Sequence, residues 1–80
     1  MPTILRFKGY RLFFYSNEGD PREPLHVHVR KGKSVAKFWL EPTVGVVESY
    51  GMKPSELRKL TKVVKDNAES IKRAWDEYFD

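Results

Sequence analysis

The stretch LHVHVRKGKSVAKFWL, Leu25 to Leu40, alternates apolar and polar residues on either side of a central KGK. Side chains along a strand point to opposite faces in turn. Leu25, Val27 and Val29 therefore share one face, and His26, His28 and Arg30 share the other. Lys31-Gly32-Lys33 turns the chain, and SVAKFWL returns beside it. Pairing Val27 with Phe38 or Ala36 makes every core pair apolar and leaves His26, His28, Lys37 and Trp39 together on the opposite face. A slip of one residue would set Val27 against Lys37, so the pattern excludes it. The stretch is predicted to be an antiparallel hairpin.

Its neighbours extend the same period. TILRF (residues 3–7) and YRLFFYS (residues 10–16) are strand candidates separated by Lys8-Gly9, a dipeptide suited to a tight turn. NEGDPREP (residues 17–24) reads as a loop, since Pro21 and Pro24 cannot donate to a ladder. VGVVESY (residues 44–50) is a further short strand.

The second half changes period. From Pro54, suited to the first position of a helix, apolar residues fall at Leu57, Leu60, Val64, Ala68, Ile71, Trp75 and Tyr78. These steps of three and four define one apolar stripe, with Arg58, Lys59, Lys62, Lys65, Asp66, Glu69, Lys72, Arg73, Asp76 and Glu77 on the other side. The reading is one long C-terminal amphipathic helix, with a kink near Asn67 as the alternative. A straight helix from Pro54 to Tyr78 would span about 37 Å, against strands of roughly 20–23 Å. Trp75, Tyr78 and Phe79 would then overhang the sheet, and a homodimer is expected to cover them. The predicted class is α+β: a mostly antiparallel meander of four to five short strands, with the helix packed on one face.

Composition narrows the function classes. Eighty residues make a single domain, residues 1–80, near the lower size limit for a self-sufficient core. The absence of cysteine excludes disulfides and thiolate zinc sites. No apolar run approaches the roughly 20 residues of a membrane span, so a cytoplasmic protein with no membrane partner is expected. Net charge is +4, and it is uneven. Residues 1–40 hold eight Lys/Arg against three Asp/Glu; residues 41–80 hold seven against eight. The surplus sits with the histidines and suits an anionic partner such as nucleic acid.

The candidate site is the polar face of the hairpin. His26 and His28 are the chain's two histidines, and two residues apart on a strand they lie about 6.7 Å from one another on one face. They could flank a phosphate, one as base and the other as acid. They could hold a metal with a third ligand from Glu18, Asp20 or Glu23, or simply be surface histidines beside Trp39. Arg30 and Lys37 share the face, and Arg11 joins them if its strand is adjacent. Aromatic side chains among cations suit nucleic-acid binding, bases stacking while cations meet phosphates. Phe13 reads better as sheet cover. There is no phosphate-cradling glycine loop, no HExxH and no serine hydrolase pattern. No cofactor and no metal are expected.

The chain resembles a small uncharacterised bacterial family, the domain of unknown function 4160. The resemblance rests on GYRLFFYSNEG (Gly9 to Gly19), HVHV (His26 to Val29), AKFWL followed by Glu41-Pro42, SEL (Ser55 to Leu57) and AWDEYF (Ala74 to Phe79). Family members commonly place a second proline just before the first histidine, where this chain has Leu25. The resemblance implies a bacterial origin and a small protein partner in a toxin–antitoxin-like gene pair. The expected function is binding of RNA or another phosphate-bearing ligand on the His26/His28/Arg30/Lys37 face, with Trp39 and Arg11 contributing. Its most specific version is a metal-independent ribonuclease in which His26 and His28 exchange protons while Arg30 and Lys37 stabilise the phosphorane. The rival expectation is a non-enzymatic module whose exposed sheet docks a partner.

Overall fold

A computed structural model of the chain describes residues 3–15 and 24–79. Five strands run in chain order across one antiparallel sheet: β1 (Thr3–Phe7), β2 (Tyr10–Phe13), β3 (His26–Lys31), β4 (Ser34–Trp39) and β5 (Gly45–Tyr50). Two helices follow, α1 (Pro54–Asp66) and α2 (Ala68–Phe79). The α+β class and the meander are as expected. The loop read at residues 17–24 lies almost wholly outside the described residues.

Turn chemistry sets the register. Lys8 and Gly9 both take positive φ, 47° and 86°, as a type I′ turn requires. That two-residue loop pairs Phe7 with Tyr10 and hence Arg6 with Arg11. Gly32 alone takes positive φ in the β3–β4 turn, 60°, and the hairpin closes with Lys31 opposite Ser34, Val27 opposite Phe38 and His28 opposite Lys37.

The helix-facing side carries Leu12, Val27, Val29, Ala36 and Phe38, all buried against Leu60 and Val64 of α1 and Ile71 and Trp75 of α2. Pro54 opens α1, and the Glu56 carboxylate accepts the Lys53 backbone N–H at 3.0 Å. This caps one of the donors left unpaired at a helix start.

The uninterrupted helix predicted from the stripe is divided at Asn67. Its amide Nδ2 donates to the Val63 carbonyl at 2.8 Å, and its own backbone N–H is shared between Val63 and Val64 carbonyls. The backbone there leaves helical values, φ −113° and ψ 14°. A short amide side chain competing for helix carbonyls explains the break. The stripe continues past it, so Trp75 is 4% exposed rather than overhanging. Its ring meets Phe14 at 5.1 Å and Phe79 at 4.3 Å. Of the three aromatics through which a dimer was expected, Trp75 is therefore buried, Phe79 is half-buried and Tyr78 is exposed. No helix is long and apolar enough to cross a membrane.

Candidate nucleic-acid interface

The face turned away from the helices is ordered by the same register into cross-strand rows. One row reads Arg6 (β1), Arg11 (β2), Arg30 (β3), Val35 (β4) and Tyr50 (β5). The next reads Phe13, His28, Lys37 and Glu48. A third sets His26 opposite Trp39 and Trp39 opposite Gly45. All the site residues predicted from sequence therefore lie on one face, but in two different surroundings.

At one end the face is an aromatic cluster. His26 is fully buried. Its ring is edge-on to Trp39, His28 and Trp75, at centroid distances of 5.6, 5.2 and 5.3 Å. Nδ1 lies 2.8 Å from the Pro24 carbonyl; a carbonyl only accepts, so Nδ1 carries the proton. Phe13 is also buried, at 1% exposure, beneath the Arg11 guanidinium at 4.7 Å, Tyr15 at 5.2 Å and His28 at 5.6 Å. Phe13 thus covers the sheet, as expected. Lys37 lies 5.0 Å from the centre of the half-buried Trp39 ring.

At the other end the face is cationic. Arg6, Arg11 and Arg30 stand directly opposite one another on three adjacent strands, spanning about 10 Å at the usual strand spacing. Like charges facing one another across strands are destabilising. Arg11 is held over Phe13, and Arg30 Nε donates to the Gly32 carbonyl at 3.3 Å. Among the described residues no carboxylate pairs with any of the three; an ion pair such as Lys62–Asp66 lies on α1 instead.

Beside the arginine row the sheet surface is hollow. A depression of about 370 Å³ is lined by Tyr15, His28, Val35, Lys37, Glu48 and Tyr50. His28 is half-buried there, edge-on to Tyr15 at 4.5 Å. Tyr50 is 72% exposed. The register shifts by one between Lys37 and Phe38 on β4, so that Val47 has no partner across the strand pair. This bulge lets Val46 pair with Phe38 on the helix side while Glu48 sits beside Lys37 on the outer side.

Sequence reasoning placed Arg11, His26, His28, Arg30, Lys37 and Trp39 on this face. It missed Arg6, Glu48 and Tyr50. Arg6 was within reach, because the two-residue Lys8-Gly9 turn implies its pairing with Arg11. Glu48 was not, since its side depends on the bulge. Among the described residues no cluster of three or more metal-ligating side chains occurs. The third ligands considered, Glu18, Asp20 and Glu23, lie outside the described residues.

No curated protein and no solved structure matches the chain. One family model matches residues 9–76, from the glycine of the first turn to the last turns of α2, and so takes in the whole face except β1. The chain belongs to that family, described as a domain of unknown function, DUF4160.

Proposed function

We propose that this protein binds single-stranded RNA on the outer face of its sheet. The row of Arg6, Arg11 and Arg30 is the observation that supports this reading. Three arginines in register, with no carboxylate paired to them among the described residues, repel one another until a polyanion sits over them. Guanidinium is well suited to that task, since its planar fork meets phosphate oxygens in pairs. Tyr50, 72% exposed, and Tyr15, which is partly covered by Phe13 and His28, offer aromatic rings for bases.

Binding without cleavage is the version we adopt. A two-imidazole acid–base mechanism needs both rings to reach substrate atoms, and His26 is enclosed by aromatic rings. Its burial supports a packing role, and His28 supports Tyr15 at the wall of the hollow. In the same proposal the protein works in the cytoplasm of a bacterium with a small protein partner, as the family resemblance implies. A homodimer is no part of it.

The test is fluorescence anisotropy with a short labelled single-stranded RNA over a salt series. The logarithm of affinity should fall with the logarithm of salt concentration by about 0.7 per phosphate contacted. Arg6→Gln, Arg11→Gln and Arg30→Gln should each flatten that slope, whereas Lys59→Gln on α1 should leave it alone. Equal effects from the helix and sheet variants would overturn the assignment of the face.

A further inference from the structure

Glu48 is out of place on a face built for phosphate. It lies beside Lys37 in the row next to the arginines, and it would repel a passing backbone. It is nevertheless held there by a specific irregularity, the bulge at Val47, which turns it outward at the margin of the hollow. A carboxylate at the margin of a depression lined by two tyrosines and by Lys37 has a different complement. It matches the edge of a base.

We infer that the hollow holds one nucleobase of the bound strand, and that the base is guanine. This deepens the RNA-binding reading and rests on it. The Watson–Crick edge of guanine presents two adjacent donors, N1–H and the N2 amino group, followed by the O6 acceptor. A carboxylate with two oxygens accepts both donors at once, and an ammonium beside it donates to O6. Glu48 supplies the two acceptors, and its cross-strand partner Lys37, whose ammonium lies 5.0 Å from the Trp39 ring centre in the unbound chain, turns to donate to O6 in the bound one. Adenine and cytosine have acceptors where guanine has N1–H, and these would face the carboxylate. Uracil has one N–H flanked by carbonyl oxygens, so one carboxylate oxygen would oppose an acceptor.

Size and route agree with this. A depression of about 370 Å³ is at the small end of ligand sites, which run from about 300 Å³ upward. Tyr50 lies in the same cross-strand row as the three arginines, with Val35 between. A strand whose phosphates follow Arg6, Arg11 and Arg30 therefore arrives at Tyr50 and turns its next base into the hollow. The exposed Tyr50 ring gives that base a face to stack on. The carboxylate that repels phosphate keeps the backbone on the arginine side.

The experiment uses the full chain and uridine strands carrying a single central guanosine, inosine, adenosine or cytidine, with all-uridine as reference. Guanosine should bind about tenfold or more tighter than the other three natural bases, the discrimination typical of a bidentate contact. Inosine lacks the N2 amino group and should lose part of that preference. Glu48→Gln should abolish the guanosine preference while raising affinity for all-uridine RNA, because a negative charge leaves the face. A purely structural role for Glu48, as cross-strand partner of Lys37, would change all strands equally, and that result overturns the inference. Equal binding of every strand by the native chain also overturns it, leaving the arginine face intact. Absence of binding to any strand would remove the RNA reading and the guanine site together.

Discussion

The two faces of the sheet are made from the same strands and differ in what holds them. On the helix side, Leu12, Val27, Val29 and Phe38 are sealed beneath α1 and α2, and apolar burial provides the stabilisation. On the outer side, among the described residues, His26 and Phe13 are sealed at the aromatic end. There Trp75 reaches from α2 to the His26 ring. The opposite end carries three arginines in register. Period two thus gives one set of strands both a core and a charged platform, and residues that stabilise the fold are separable from residues that serve binding. Substitutions on the two sides should diverge in sign as well as size.

The largest effect should come from Trp75. Its indole packs on Phe14, Phe79 and His26 and joins the helix layer to the aromatic end of the outer face. Trp75→Ala should destabilise by about 3–5 kcal/mol, the range for deleting a buried large aromatic. A domain of this size has only about 4–12 kcal/mol in total. Urea denaturation should show the loss at every protein concentration, because the ring is buried within its own chain. A loss that shrinks as concentration rises would instead place Trp75 in a subunit contact.

The histidines break the comparison within a single strand. His26 and His28 are equivalent by spacing, yet one is fully buried and the other half-buried beside the hollow. His26→Ala leaves a cavity and deprives the Pro24 carbonyl of its donor, at about 2–4 kcal/mol. His28→Ala should stay within about 1 kcal/mol in stability and act on RNA affinity through Tyr15. Similar melting curves for the two variants would show that both rings belong to the packing.

How much of this could be read from sequence follows the range of the interactions involved. The β3–β4 register was legible, because a slip would set Val27 against Lys37. The outward side of Arg30, His28 and Lys37 followed from it. The burial of His26 was not legible, since it depends on Trp75 arriving from the far end of the chain. Nor was Glu48, whose side is reversed by one unpaired residue on β5. The break at Asn67 had a signal, a polar amide between two apolar steps, but the stripe runs through it in register. Periodicity therefore pointed to one helix where local hydrogen bonding makes two.

A smaller effect, and one that depends on pH, should appear where the first hairpin meets α1. The Tyr10 hydroxyl donates to the Glu56 carboxylate, and the Lys31 ammonium lies 4.8 Å from the Tyr10 ring centre. The Lys53 backbone N–H and then the Tyr10 hydroxyl hold the Glu56 carboxyl below its usual 4.5. The same hydrogen bond, with burial and the Glu56 charge, raises the Tyr10 hydroxyl above its usual 10.0. A lowered carboxyl pKa stabilises the fold above the unfolded value, and that contribution is lost as pH falls through the folded value. A raised phenol pKa stabilises below the unfolded value and is lost as pH rises through the folded one. Tyr10→Phe should therefore be less stable than the native chain near neutral pH, with the gap closing in acid. A gap that is constant down to acid pH would mean that the ring, rather than the hydroxyl–carboxylate bond, is responsible.

The smallest effect should have the opposite sign. Arg6 is exposed at the edge of the sheet and faces Arg11 across the β1–β2 pair. Opposed like charges cost about 0.2–1 kcal/mol, and at an exposed edge the lower end applies. Arg6→Gln removes that repulsion without touching Phe13, which Arg11 covers. The variant should be more stable than the native chain by a few tenths of a kcal/mol at low salt. The gain should disappear near molar salt, where the screening length falls to about 3 Å. RNA affinity should move the other way in the same variant. A residue whose removal improves folding and weakens binding is held against the interest of the fold, and that is the signature expected of the arginine row. Arg11→Gln supplies the contrast, because it relieves repulsion from both neighbours but uncovers the Phe13 ring. If Arg6→Gln is less stable at low salt, the row is a packing feature and the two faces differ less than their charges suggest.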